Sequence, residues 1–126
     1  MVDKWLTLQA TSRLPGTLKE VESLLRHPAF NLKNPNRVRA LIGAFCQGNP
    51  ARFHAADGAG YAFLGKRILE LDPLNPQVAS RLVLPLTRWR RYDENRQRMM
   101  RAQLERIAAL PGLSRDVFEM VSKSLG

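Results

Sequence analysis

Few residues in this chain are equipped for bond-making chemistry, and they are scattered. They include two histidines, His27 and His54, and one cysteine, Cys46. Zinc catalysis needs an HExxH pair or a comparable set of His and carboxylate ligands. The two histidines lie on separate turns, neither with a second histidine at helical spacing, so no metal site is expected within this chain. His54 follows Phe53 and precedes Asp57, and an imidazole has the titration range of a general base. The surrounding residues predict instead a structural histidine that hydrogen-bonds its own turn. Cys46 follows Ile42-Gly43-Ala44-Phe45, an apolar setting that predicts a buried, inert thiol, because thiolate reactivity needs electropositive and partly exposed surroundings. Gly58-Ala59-Gly60 lacks the strand and lysine of a P-loop and carries no nucleotide signal.

The arginines are the more informative set. Arg37 and Arg39 fall in the first turns of a helix begun by Asn34-Pro35, where the helix dipole disfavours cations, and Arg81 lies at a comparable depth in a helix begun by Asn75-Pro76. Residues that oppose a local rule are candidates for function, so Arg37, Arg39 and Arg81 are expected to meet carboxylates outside the helix layer. Arg88, Arg90 and Arg91 need no such explanation, since cations suit the C-terminal end of a helix. Glu94 and Arg98 have the spacing of a stabilising helical pair, and Arg96, Arg98 and Arg101 are predicted on a solvated face opposite Met100 and Leu104. Trp89 and Tyr92 fall among these arginines, and interleaved basic and aromatic residues keep a nucleic-acid alternative open.

The elements that hold these residues read as helices throughout. Trp5, Leu6 and Leu8 mark a short first helix ended by a Pro15-Gly16 turn. Thr17-Leu18-Lys19-Glu20 predicts a capping box, opening a helix with Leu18, Val21, Leu24 and Leu25 on one face that stops near His27-Pro28. Asn34 caps the next helix, with Pro35 at its first position and Val38, Leu41, Ile42 and Phe45 facing inward. Asn49-Pro50 starts a short turn, and Asp57 is expected to cap a helix through Tyr61, Leu64, Ile68 and Leu71 that Asp72-Pro73 ends. Asn75-Pro76 repeats the Asn-Pro start 41 residues after Asn34-Pro35, ahead of Val78, Leu82, Val83 and Leu86. That period is close to those of HEAT and armadillo hairpins. Asp93 is expected to cap a long helix with Met100, Leu104, Ile107 and Leu110 on one side, and Ser114 a last one bearing Val117, Phe118 and Val121. The fold class expected is all-α, seven or eight helices in antiparallel hairpins forming a HEAT/armadillo-like short superhelix.

With 126 residues, 44% of them hydrophobic, the chain is long enough to bury one core, and a single domain over 1–126 is expected. Twenty basic residues against eleven acidic give a net charge of +9 and a pI near 10.8; the excess is mostly arginine, which suits planar anionic partners. A single cysteine excludes an internal disulfide framework and fits a reducing compartment. No apolar run approaches the roughly 18 residues of a membrane span, and the first residues lack a signal-peptide core. A cytoplasmic location with no membrane partner is expected.

The run Asn34 to Leu64, together with Asn75-Pro76-Gln77-Val78-Ala79-Ser80-Arg81-Leu82, Arg90-Arg91-Tyr92-Asp93, Asp3-Lys4-Trp5 and the helical tail, resembles the C-terminal helical domain of bacterial aminopeptidase N. That family comprises zinc-dependent alanyl aminopeptidases of the gluzincin class, and the resemblance extends over nearly the whole chain. It implies that these residues are part of a much longer enzyme whose upstream catalytic domain supplies the HExxH zinc ligands and a GAMEN motif. Both motifs are missing here, so the fragment alone is expected to be inactive and to hold no cofactor. The resemblance further implies a domain that encloses the active-site chamber and limits access to small peptides. In that setting Arg39 and Arg81 match cavity-facing positions suited to the substrate's C-terminal carboxylate or backbone carbonyls. A free-standing basic helical-repeat module that binds nucleic acid is the competing reading.

Overall fold

The computed structural model describes residues 2–12, 16–27, 30, 33–55 and 57–125, with Val2, Asp3 and Pro50 described in backbone only. Pro15, Pro28 and the turns expected at them lie outside the described residues. Among those described there is no strand, as the helical periodicities predict. The chain divides into two compact units, Met1–Ala55 and Ala56–Gly126.

The first unit opens with α1 (Val2–Ala10) and α2 (Thr17–Leu24), which pack on each other. One long helical run follows in three parts: α3 (Pro35–Val38), a π-helical turn (Arg39–Gly43) and α4 (Ala44–Gly48). A single turn, α5 (Pro50–Phe53), completes the unit. Asn34 caps α3 as its sequence predicts, its side chain accepting from the N–H groups of Asn36 at 3.0 Å and Arg37 at 3.4 Å. Leu6, Val21, Val38, Leu41, Ile42, Phe45 and Phe53 are fully buried, each contributing about 1.5–3 kcal/mol by leaving water. Phe45 and Phe53 meet edge to face at 6.3 Å. Asn49 is buried too, and its amide is fully used: Nδ2 donates to the carbonyls of Ala10 and Ser12, while Oδ1 accepts from the Arg52 N–H. It ties the end of α4 to the end of α1.

One detail of this unit differs from the sequence reading. The capping box at Thr17 does not form: Gly16 is the N-cap, its carbonyl takes the Glu20 N–H, and the Thr17 hydroxyl donates to the Ser12 carbonyl at 2.7 Å. The Ser12 carbonyl lies within reach of the Thr17 hydroxyl and outcompetes the expected role. Trp5 and Leu8 lie on the outer side of α1, both exposed, while Leu6 and Ala10 face inward.

The second unit holds α6 (Ala59–Leu71), α7 (Pro76–Leu82), α8 (Leu84–Thr87), a 3-10 turn (Trp89–Arg91), α9 (Glu94–Ala108) and α10 (Arg115–Leu125). Helix α6 packs on α7 and α9, and α10 on α9 and α7. The buried stripe Tyr61, Leu64, Ile68, Leu71, Leu82, Val83, Leu86, Met100, Leu104, Ile107, Val117 and Val121 follows the predicted spacing. Asn75 and Asp93 cap α7 and α9 through their side chains. Asp57 acts one residue early, because Gly58, at φ +74°, is the N-cap of α6 while the Asp57 carboxylate accepts from the Ala59 N–H. Leu110, expected on the apolar side of its helix, is exposed, and so is Phe118. Leu110 lies beyond the end of α9, and Phe118 follows Val117, so it points away from the face that Val117 and Val121 bury.

Candidate functional site

The three arginines singled out by sequence occupy different settings. The Arg37 backbone N–H is one of the two that Asn34 caps, and the residue is half-buried. Arg39 is exposed and opens the π-helical turn; its Nη2 donates to Asn36 Oδ1 at 2.5 Å. That bond steers the guanidinium yet leaves most of its five N–H donors for another acceptor. Being two positions apart, Arg37 and Arg39 do not share a helix face.

Arg81 belongs to the second unit and is exposed in the last turn of α7. The dipole anomaly expected at Arg81 is therefore absent, since a cation there is favoured. The reason is Pro85, which has no N–H to give the Arg81 carbonyl four residues back, so the helix breaks at Val83. Sequence reasoning placed Arg81 in one continuous helix and overlooked this proline. Ser80, next to Arg81, lines a groove of about 700 Å³ whose other wall is α10, with Asp116, Phe118, Glu119 and Lys123 along it.

The two histidines and the cysteine occupy separate packing environments. The His27 ring lies 5.4 Å from the Trp5 ring, and the His54 ring rests edge-on against Phe53 at 4.8 Å. Cys46 is buried, and desolvation pushes its thiol far up, which keeps it protonated and unreactive. These donors do not fit a zinc ion, and no three of the described His, Cys, Asp and Glu side chains gather into a group able to hold a metal. No described helix is long and apolar enough to cross a membrane.

The ring at the centre of the basic and aromatic cluster is covered, while the arginines around it, Arg90 and Arg101, are exposed. Trp89 is buried, with the Arg90 guanidinium 4.4 Å and the Arg101 guanidinium 5.6 Å from its ring centroid. Its Nε1 and the Arg90 Nη1 both donate to the Ser124 carbonyl, at 3.3 and 3.0 Å. A base stacks only on an open ring face, and this indole already serves to hold the end of α10. Two arginines of α9 are paired along their own helix: Arg96 with Asp93 at 2.9 Å and Arg101 with Glu105 at 2.9 Å. The hydrogen bond from Arg96 holds the Asp93 carboxyl below the usual range.

Comparison with known proteins places these features in context. Residues 1–126 match the family described as a domain of unknown function with ARM repeats, DUF3458_C. Aminopeptidase N of Escherichia coli is 52% identical over 125 residues, covering 99% of this chain and 14% of that protein. Aminopeptidase N of Caulobacter vibrioides is 52% identical over 126 residues, covering 100% of this chain and 15% of its own length. The crystal structure of Legionella pneumophila aminopeptidase A in complex with aspartic acid matches with a TM-score of 0.93 at 40% identity, over 98% of this chain and 14% of that one. The chain thus spans about one-seventh of the length of the relatives it matches.

Proposed function

The chain belongs to the DUF3458_C family of ARM-repeat domains, and from that membership we propose that residues 1–126 are the C-terminal accessory domain of a zinc-dependent aminopeptidase of the N type, which removes amino acids from the N-termini of peptides. The observation that carries this reading is identity of 52% along the whole chain to two aminopeptidases N of which it makes up only 14% and 15%. The zinc ion belongs, in this reading, to HExxH ligands of an upstream domain and supplies the activated water there. The parent enzyme is cytoplasmic in this reading.

The role of the helical layer is to wall the chamber and to orient peptides. A guanidinium makes two parallel N–H bonds to a carboxylate, and exposed Arg39 and Arg81 are available for that contact. Arg37, on the same helical run, adds positive potential beside Arg39. A peptide engaged at its C-terminal carboxylate by the layer and at its N-terminus by the catalytic domain is limited in length. The nucleic-acid reading is the weaker of the two, because the indole on which a base would stack is buried.

The experiment is charge reversal in the full-length enzyme. Arg39→Glu and Arg81→Glu are expected each to raise KM for small free-acid peptides by about tenfold or more, with aminoacyl arylamides, which have no carboxylate, hydrolysed as before. Unchanged kinetics on free-acid peptides in both variants would refute the positioning role.

A further inference from the structure

The helix that carries Arg39 changes hydrogen-bond register at that residue. The Ala44 N–H reaches the Arg39 carbonyl, five positions back. It is thereby drawn away from the Ala40 carbonyl, its partner in a regular α-helix. Ala40 is buried, and a buried carbonyl stripped of its donor is costly unless another takes its place. The Thr7 hydroxyl, on α1 and 33 positions away, donates to that carbonyl at 3.0 Å. Thr7 is itself anchored, its own carbonyl accepting the Thr11 hydroxyl at 2.8 Å.

The π turn has a consequence for direction. One inserted residue rotates the helix on its N-terminal side by about 100° around the axis relative to the helix on its C-terminal side. The π turn therefore sets where Arg39 points relative to the Leu41, Ile42 and Phe45 core, and Asn36 fixes the far end of the same side chain. We propose that Thr7 is a positioning residue for peptide binding: by occupying the carbonyl that the π turn orphans, it holds the register that presents Arg39 to the substrate's C-terminal carboxylate. The inference rests on the proposed role of Arg39 in receiving this carboxylate.

The test uses the full-length enzyme with a tripeptide bearing a free carboxylate and the same tripeptide as its C-terminal amide. Arg39→Gln is expected to raise KM for the acid about tenfold and leave the amide within about twofold. Thr7→Val keeps the shape and removes the donor; it is expected to raise KM for the acid about three- to tenfold, with kcat and the amide within about twofold. Thr7→Ser, which keeps the hydroxyl, restores the wild-type acid-to-amide ratio. Thr7→Ala reads the same difference if Thr7→Val does not fold. A general loss of structure moves acid and amide together, and that result for the Thr7 variants overturns the assignment, as does a wild-type ratio in Thr7→Val beside a shifted one in Arg39→Gln. An unshifted ratio in Arg39→Gln overturns the carboxylate reading itself, and the role of Thr7 falls with it.

Discussion

Asp72, at the end of α6, receives both the backbone N–H of Ser114, at 2.9 Å, and its hydroxyl, although 42 positions separate the two residues. Asp72 is buried, and the Ser114 hydroxyl oxygen in turn accepts from the Val117 N–H at 3.3 Å as the cap of α10. One carboxylate thus ends one helix and fixes the start of another.

Ser114→Ala removes the hydroxyl and leaves Asp72 only the backbone N–H, whereas Asp72→Ala leaves both Ser114 donors without their acceptor. Ser114→Ala is expected to destabilise the 126-residue chain by about 2–3 kcal/mol, the sum of a lost cap and a lost hydrogen bond to a charged group. Asp72→Ala is expected to cost about as much and Asp72→Asn less, since the amide oxygen still accepts. Urea unfolding of the two alanine variants and the double variant gives the coupling, expected at about 1–3 kcal/mol. A coupling near zero would mean that the two residues act independently.

Cys46 gives a pH-dependent signature. Burial raises the folded thiol's pKa above its ordinary value of 9.0, so below that value the thiol is protonated in both states. Above it only the unfolded chain releases the proton, and stability falls as pH rises, by up to about 1.4 kcal/mol per unit. The urea midpoint of wild type relative to Cys46→Ala is expected to decline between about pH 8 and pH 10, and a thiol reagent is expected to modify Cys46 only as fast as the chain opens. A constant difference across that range, or rapid labelling of the native chain, contradicts the buried assignment.

Trp89 reports on the nucleic-acid alternative. The chain has two tryptophans, so in Trp5→Phe the remaining emission is that of Trp89. With Arg90 and Arg101 over its ring and Nε1 bonded to Ser124, its fluorescence is expected to stay unchanged on titration with single-stranded oligonucleotide at physiological salt. Quenching with a steep salt dependence would instead mark base stacking and released counterions.

The parts of this fold that were legible in the sequence are those fixed by neighbours a few positions away. Asn34 and Asn75 each precede a proline and cap a helix, Asp93 and Ser114 cap theirs, and the spacing of apolar residues from Val38 to Val121 selects most of the core. The parts that were not legible depend on partners far along the chain or on a single break. Thr17 has the sequence of a cap, but Ser12 offers a nearer acceptor, and Gly58 takes the cap from Asp57 through its left-handed backbone. The π turn at Arg39 has no local marker, since its orphaned carbonyl is served from Thr7. Arg81 was misplaced within its helix because Pro85 acts four residues downstream, though that proline was visible. Asn36, which holds Arg39, was readable from its i, i+3 spacing.

The central claim, that these residues serve an aminopeptidase rather than act alone, is tested most directly by peptide hydrolysis at equal molarity. The full-length polypeptide is expected to release the N-terminal residue from an alanyl tripeptide, to lose that activity on treatment with a zinc chelator, and to spare the N-acetylated peptide, while residues 1–126 alone release nothing. An inactive full-length polypeptide, or hydrolysis by the 126 residues alone, would contradict the account.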